Sequence, residues 1–136
     1  SFACGLGVKI AKPKKTVISL MGDGGFGMTI SELSTAVEYK INTITIVMNN
    51  KSWGAEKAYQ KDFFGKRYIG ADISSPPFDK VAELYGAKGF KVGRISEINE
   101  VVKAALECNK PSVIDVAVDP KALYSFRRDS FKHRSK

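Results

Sequence analysis

Two groups of polar residues stand at the ends of two apolar segments of this sequence. Asp23 follows the segment 16–21 and lies between glycines, and Asn49 and Asn50 close the segment 43–49. If both segments are neighbouring parallel strands joined by a right-handed crossover, Asp23 and Asn50 emerge at the same edge of the sheet. A carboxylate and an amide oxygen suit Mg²⁺ or Ca²⁺, and Mg²⁺ usually completes its shell with water and phosphate oxygens. The pattern therefore predicts a metal-bridged diphosphate site.

The glycines around Asp23 favour the same interpretation. Gly22, Gly24 and Gly25 carry no Cβ that could block the approach of a ligand to the backbone. They lead into a predicted helix start, where N–H groups without intrahelical partners favour a phosphate group. A Gly-Asp-Gly triplet or an Asn-Asn pair alone is also a common turn. The prediction therefore depends on both motifs following successive strands.

The elements that must position these residues can be read from the apolar periodicity. Continuous apolar segments predict strands at residues 16–21, 43–49, 89–92 and 112–118. Helical spacing predicts helices that begin near residue 29, over 55–63, from residue 78 to a stop at Gly86, and after Ser96. Alternation of this kind predicts an α/β fold, an open parallel sheet with helices on both faces in a Rossmann-like three-layer domain.

Local signals set the expected ends of these helices. The glycine-rich stretch GDGGFG predicts a loop after the first strand. Thr29 and Glu32 have the spacing of a capping box, which predicts that the next helix starts there. Ser96 is the expected N-cap of the last helix, and Gly86 the expected C-terminal stop of the helix before it.

Length and charge distribution predict one domain and a tail. The chain has 136 residues, 43% of them apolar, and a net charge of +8, of which +5 falls in residues 121–136. We therefore predict a domain over 1–120 and a basic C-terminal tail over 121–136, without a nucleic-acid partner. No apolar segment reaches the roughly 20 residues of a membrane span. With no signal peptide visible and no Cys-x-x-Cys pair, the expected location is the cytoplasm.

The spacing of GDG and NN resembles the diphosphate and metal motif of thiamine diphosphate-dependent enzymes. The stretch NNKSWGAEKAYQKDFFGKRYIGADI and the later FRRDSFK resemble, more narrowly, the C-terminal domain of the sulfoacetaldehyde acetyltransferase family. The resemblance implies thiamine diphosphate and Mg²⁺ as cofactors. It implies that Asp23 and Asn50 bind Mg²⁺ through side-chain oxygens and Ser52 through its backbone carbonyl. The implied cofactor-binding residues are Gly22, Asp23, Gly24, Gly25, Asn50, Ser52, Gly54 and Ala55.

The resemblance also implies a catalytic candidate. Glu56 matches the position at which some decarboxylases of this family carry a glutamate that handles protons, and a solvated helix charge is the alternative. Lys57, Lys61, Lys66 and Arg67 supply positive charge suited to a sulfonate or a phosphate, with a solvated helix face as the alternative for at least two of them. Many relatives carry a serine at the position of Gly25, so here that contact can come only from the backbone.

The implied activity is that of an acyltransferase of taurine metabolism, which converts sulfoacetaldehyde and phosphate to acetyl phosphate and sulfite. The alternatives are an acetolactate synthase, a 2-oxo acid decarboxylase, or a split-subunit cofactor-binding module. Such enzymes need a pyrimidine-binding domain from the same or a neighbouring subunit. We therefore expect this chain to be a piece of a larger enzyme, inactive by itself, in a homo-oligomer that is a dimer or a tetramer.

Overall fold

The fold is built around a four-stranded parallel sheet. The computed structural model describes residues 1–125, and its strands are β1 (Ile18–Gly22), β2 (Ile44–Asn49), β3 (Lys88–Val92) and β4 (Ser112–Ala117). They lie in the order β1-β2-β4-β3, and every pairing is parallel. These are the four strands predicted from the apolar segments, with ends shifted by one or two residues.

Helices connect the strands and cover both faces of the sheet. The helices are α1 (Phe2–Ala11), α2 (Asp23–Gly27), α3 (Glu32–Glu38), α4 (Gly54–Phe63), α5 (Phe78–Leu84) and α6 (Ile98–Glu107), the last preceded by a 3₁₀ turn over Ile95–Glu97. On one face, side chains of α1, α2, α3 and α5 pack with Val47 and Val113. On the other face, α6 packs against Ile44 and Ile114. The predicted α/β class, with an open parallel sheet between helices, is confirmed.

The prediction of a loop over GDGGFG is wrong, because residues 23–27 form the short helix α2. Its only large side chain, Phe26, is fully buried between Phe2 and Phe78, with edge-to-face ring contacts at 5.4 and 5.2 Å between centroids. Burial of an aromatic ring contributes roughly 1.5–3 kcal/mol, which offsets most of the roughly 1 kcal/mol that each of the three helical glycines costs. A distant packing partner therefore decides the local structure.

Both predicted N-terminal helix caps are also wrong. Thr29 donates its hydroxyl hydrogen to the Phe26 carbonyl oxygen at 3.5 Å, and α3 begins three residues later without a side-chain cap. At the last helix, Arg94 and Glu97 form the capping interaction of the 3₁₀ turn, where Ser96 was expected to cap. The stop at Gly86 is confirmed, since α5 ends at Leu84 and Gly86 has a φ of +88°. No element was predicted for residues 2–11, which form α1.

Two further predictions concern the periphery of the domain. No helix within residues 1–125 is long and apolar enough to cross a membrane. The FRRD motif and residues 126–136 of the predicted basic tail lie outside the described residues. The proposed division of the chain at residue 120 remains a prediction.

Candidate functional site

One cleft at the carboxyl ends of β1 and β2 brings all of the predicted site residues together. Its volume is about 270 Å³. It is lined by Gly22, Asp23, Gly24, Gly25, Met48, Asn50, Ser52, Trp53, Gly54, Ala55, Glu56 and Val118. The position follows from topology, because β1 and β2 are adjacent and parallel and both chains leave the sheet at the same edge. The roles of these residues remain predictions.

Asp23 is the buried acid of this cleft. It is the first residue of α2, and only 1% of its surface is exposed. Ser75 Oγ donates a hydrogen bond of 2.6 Å to Asp23 Oδ2, the one hydrogen bond to this carboxylate among residues 1–125. A buried carboxylate is costly unless it is paired, hydrogen-bonded or bound to a metal. The single protein partner leaves this carboxylate with coordination capacity for a cation.

The second half of the cleft is a tight turn after β2. Asn50 Oδ1 accepts a hydrogen bond from the Ser52 backbone N–H at 3.1 Å, and Lys51 between them has a φ of +56°. Ser52 is 3% exposed, and its hydroxyl oxygen is buried without a hydrogen-bond partner in the described part of the chain. A Cβ on Gly54 would stand 2.8 Å from Asn50 Nδ2, so a larger residue at position 54 would displace the Asn50 amide group.

The glycines leave open space beside this polar rim. A Cβ on Gly22 would meet no heavy atom within 4 Å, and one on Gly25 would meet only the terminal methyl of Met21, at 3.8 Å. The backbone N–H groups at the start of α2 lack intrahelical acceptors. A buried carboxylate, an amide oxygen, a nearby carbonyl and exposed backbone therefore fit a hard divalent cation that carries phosphate oxygens. No group of three or more His, Cys, Asp or Glu within 1–125 offers an alternative metal site.

A second groove adjoins the cleft along α4. Its volume is about 310 Å³, and Ala55 and Glu56 line both cavities. Glu56 is exposed, at the boundary between them. Of the four cationic residues noted in the sequence, Arg67 lines the groove, whereas Lys57 forms an ion pair with Asp72.

Ser75 is the site residue that sequence reasoning missed. It lies 52 residues from Asp23, in the segment SSPP that was interpreted as the end of a surface loop. A lone serine before two prolines carries no recognisable motif, so only the three-dimensional contact reveals it.

Comparison with known proteins identifies the family of this domain. A sequence model of the family described as "Thiamine pyrophosphate enzyme, C-terminal TPP binding domain" matches residues 1–116. The solved structure of a thiamine diphosphate-dependent 4-hydroxybenzoylformate decarboxylase from Rhodococcus jostii RHA1 is similar with a TM-score of 0.79 and 31% sequence identity. That similarity covers 85% of this chain and 22% of the decarboxylase.

Two curated relatives are similar over most of the chain. A Methanococcus aeolicus protein named "Probable acetolactate synthase large subunit" is 38% identical over 125 residues, 91% of this chain and 21% of that protein. The sulfoacetaldehyde acetyltransferase of Castellaniella defragrans is 34% identical over 129 residues, 92% of this chain and 22% of that protein. The chain thus spans about a fifth of the length of these relatives, and their similarity does not separate the two activities. The chain belongs to the thiamine pyrophosphate enzymes, as their C-terminal TPP-binding domain.

Proposed function

We propose that the cleft holds the diphosphate of thiamine diphosphate through Mg²⁺. The side-chain oxygens of Asp23 and Asn50 and the backbone carbonyl of Ser52 are the protein ligands in this proposal. The observation that carries it is the convergence of these three residues, from the ends of β1 and β2, on one cleft that is open beside Gly22 and Gly25. Phosphate oxygens of the cofactor and water would supply the remaining ligands, as is usual for Mg²⁺.

The chain's own groups would fix and shield this assembly. Gly24, Gly25, Gly54 and Ala55 would present backbone groups to the diphosphate, with the most open space beside Gly25. Trp53, which packs on Gly24, would form one wall. Glu56 would hold or transfer a proton at the mouth of the cleft through its carboxylate oxygens. Thiamine diphosphate, when bound, supplies the electron sink of the reaction, and the protein supplies position and electrostatics.

The reaction we propose for the whole enzyme is acetyl transfer from sulfoacetaldehyde to phosphate, which yields acetyl phosphate and sulfite. It is supported by the stretch WGAEK at the cleft and by similarity to the Castellaniella acetyltransferase. The acetolactate synthase alternative is supported by similarity of the same order to the Methanococcus protein. In either case, the family resemblance implies that the activity needs a pyrimidine-binding domain, in the same or a neighbouring subunit, and the chain spans only about a fifth of the length of these relatives.

Calorimetry on the full protein that carries this chain tests the cofactor site. Thiamine diphosphate is titrated with and without Mg²⁺ into the parent and into Asp23→Ala. We expect Asp23→Ala to lose Mg²⁺-dependent binding of thiamine diphosphate, because the substitution removes one of the two proposed side-chain ligands of Mg²⁺. Asp62→Ala, an exposed acid on α4 outside the cleft, is the matched control and should bind as the parent does. Unchanged Mg²⁺-dependent affinity in a folded Asp23→Ala protein would refute the site.

Product analysis separates the two proposed reactions. The full protein is supplied with sulfoacetaldehyde and phosphate in one reaction and with pyruvate in another. Release of sulfite together with acetyl phosphate supports the acetyltransferase. Conversion of pyruvate to acetolactate, with no sulfite released from sulfoacetaldehyde, would refute the acetyltransferase proposal and support the synthase.

A further inference from the structure

A short segment on the far side of the cleft touches both halves of the proposed cation site. We call residues 71–75 the clamp segment. Its backbone runs antiparallel to the turn after β2: Trp53 N–H donates to the Ala71 carbonyl oxygen at 2.8 Å, and Ile73 N–H donates to the Lys51 carbonyl oxygen at 3.0 Å. Ser52 and Asp72 are paired between these two bonds. The clamp segment therefore fixes the backbone at the proposed ligand Ser52.

The same segment reaches the other half of the site through Ser75. Its hydroxyl donates to Asp23 Oδ2 at 2.6 Å, within the range of strong hydrogen bonds between a hydroxyl and a carboxylate. Asp23 is 1% exposed, so its carboxylate is largely removed from bulk solvent. A hydrogen bond to one carboxylate oxygen sets the rotation of the whole carboxylate group. The direction in which Asp23 offers its remaining lone pairs thus depends on Ser75.

The clamp segment is held firmly enough to act in this way. Ser75 precedes Pro76 and Pro77, and a residue before proline is restricted to extended conformations. Asn49 Nδ2 donates to the Pro76 carbonyl oxygen at 3.4 Å, and Phe78 N–H donates to Asp115 Oδ2 at 2.9 Å. The segment is therefore tied to β2 and β4 immediately after Ser75, which limits the freedom of its hydroxyl.

We propose that Ser75 is a positioning residue for divalent-cation binding. Its hydroxyl orients the Asp23 carboxylate, and the clamp segment fixes the distance between Asp23 and Ser52. The inference rests on the proposed function of the cleft and adds a residue to it. Hydrogen-bond partners of metal-ligating carboxylates typically change metal affinity by 10- to 100-fold when they are removed. Ser75→Ala should accordingly weaken cation affinity at least about tenfold.

The test measures cation binding directly on the full protein that carries this chain. Mg²⁺ is titrated calorimetrically at saturating thiamine diphosphate, and Mn²⁺ binding is followed by loss of the free-ion electron paramagnetic resonance signal. Ser75→Ala is compared with Ser75→Thr, which keeps the hydroxyl in an extended segment that tolerates β-branching. Ser74→Ala removes the neighbouring exposed hydroxyl and is the matched control. We expect a loss of about tenfold or more for Ser75→Ala alone.

The outcomes distinguish this inference from the function on which it rests. If Ser75→Ala binds both cations as the parent does while Asp23→Ala does not, the positioning role is refuted and the cleft assignment stands. If Asp23→Ala also binds normally, the proposed function fails. An equal loss for Ser75→Thr and Ser75→Ala would refute the role of the hydroxyl. Should Ser75→Ala fail to fold, Ser75→Cys retains the volume with a weaker donor, and unchanged affinity there overturns the proposal.

Discussion

The indole ring of Trp53 lies directly against the backbone of Gly24. A Cβ on Gly24 would stand 2.7 Å from two carbons of that ring, closer than side chains approach one another. The contact joins the two halves of the cleft, because Gly24 belongs to α2 and Trp53 to the turn that contains Asn50 and Ser52. Glycine is needed at this position for space, since its φ is not in the left-handed region.

The first prediction concerns this contact. Gly24→Ala forces the indole of Trp53 to move, and Trp53 is tied through its backbone N–H to Ala71. We expect a loss of about 1–3 kcal/mol in the free energy of unfolding, the usual cost of overpacking, together with weaker cofactor binding. The measurements are urea unfolding and calorimetry with thiamine diphosphate and Mg²⁺.

Gly27→Ala supplies the control for that prediction. Gly27 ends the same helix, and a Cβ there would meet nothing within 4 Å. Replacing an unstrained glycine with alanine should leave stability unchanged or raise it by a few tenths of a kcal/mol, roughly. Equal effects of the two substitutions would show that helix propensity matters here and the contact with Trp53 does not.

The sheet, and the edge of it at which the cleft lies, were predictable because the sequence patterns that indicate them are local or follow from topology. Segments such as 43–49 are continuously apolar, which marks a buried parallel strand whatever surrounds it. The convergence of Asp23 and Asn50 followed from the handedness of a single crossover, once two adjacent strands were assumed. The structure has that adjacency, and the cleft contains every residue predicted for it.

What sequence reasoning missed depends on contacts between distant residues. The helix α2 contains three glycines, and it forms because Phe26 is buried against Phe2 and Phe78, which lie far away in the sequence. Thr29 had the spacing of a cap, but its hydroxyl bonds to Phe26 inside the preceding turn. The role of Ser75 could not be predicted either, because its hydrogen-bond partner Asp23 lies 52 residues away in the sequence. Local patterns carry no information about such pairs.

The second prediction is a pH dependence that arises from Asp115 in the centre of the sheet. Burial raises the pKa of Asp115, and the nearby Asp79 carboxylate raises it further, whereas hydrogen bonds from Asn49 and Phe78 and the charge of Lys91 oppose the shift. A raised pKa in the folded state means that the folded protein binds the proton more tightly than the unfolded chain does. The contribution of Asp115 to stability is therefore complete in acid and is lost as pH rises from the ordinary value through the raised one.

Asp115→Asn removes this titration while it keeps an acceptor for the Phe78 N–H. Relative to the parent, the variant should therefore become more stable between about pH 3 and about pH 7, so the difference in the free energy of unfolding, variant minus parent, should rise. Urea unfolding of both proteins at the two pH values measures the difference. Asp62→Asn, at an exposed position on α4, is the control that measures how an Asp-to-Asn substitution changes stability without burial. A relative stability of Asp115→Asn that is constant or falls with pH would contradict the prediction.

The third prediction separates two ways in which Ser52 could serve a cation. Its hydroxyl oxygen is buried without a partner among residues 1–125, whereas the proposed function assigns the ligand role to its backbone carbonyl. If the carbonyl is the ligand, Ser52→Ala keeps it, because the bonds that hold this turn are made by the backbone N–H of Ser52 and by the backbones of Lys51 and Trp53, and none uses the Ser52 side chain. Mg²⁺ affinity at saturating thiamine diphosphate should then stay within about threefold of the parent. Removal of a hydrogen-bond partner of a metal ligand typically lowers metal affinity by about 10- to 100-fold, which is a much larger change.

Stability gives an independent measurement on the same variant. An unsatisfied buried hydroxyl costs roughly 1–3 kcal/mol, so Ser52→Ala should be as stable as the parent or more stable when the cation is absent. If instead affinity falls more than about tenfold while the cation-free protein keeps its stability, the hydroxyl itself contacts the cation or one of its waters. That result would assign a role toward the cation to the Ser52 hydroxyl, which is buried without a hydrogen-bond partner among residues 1–125.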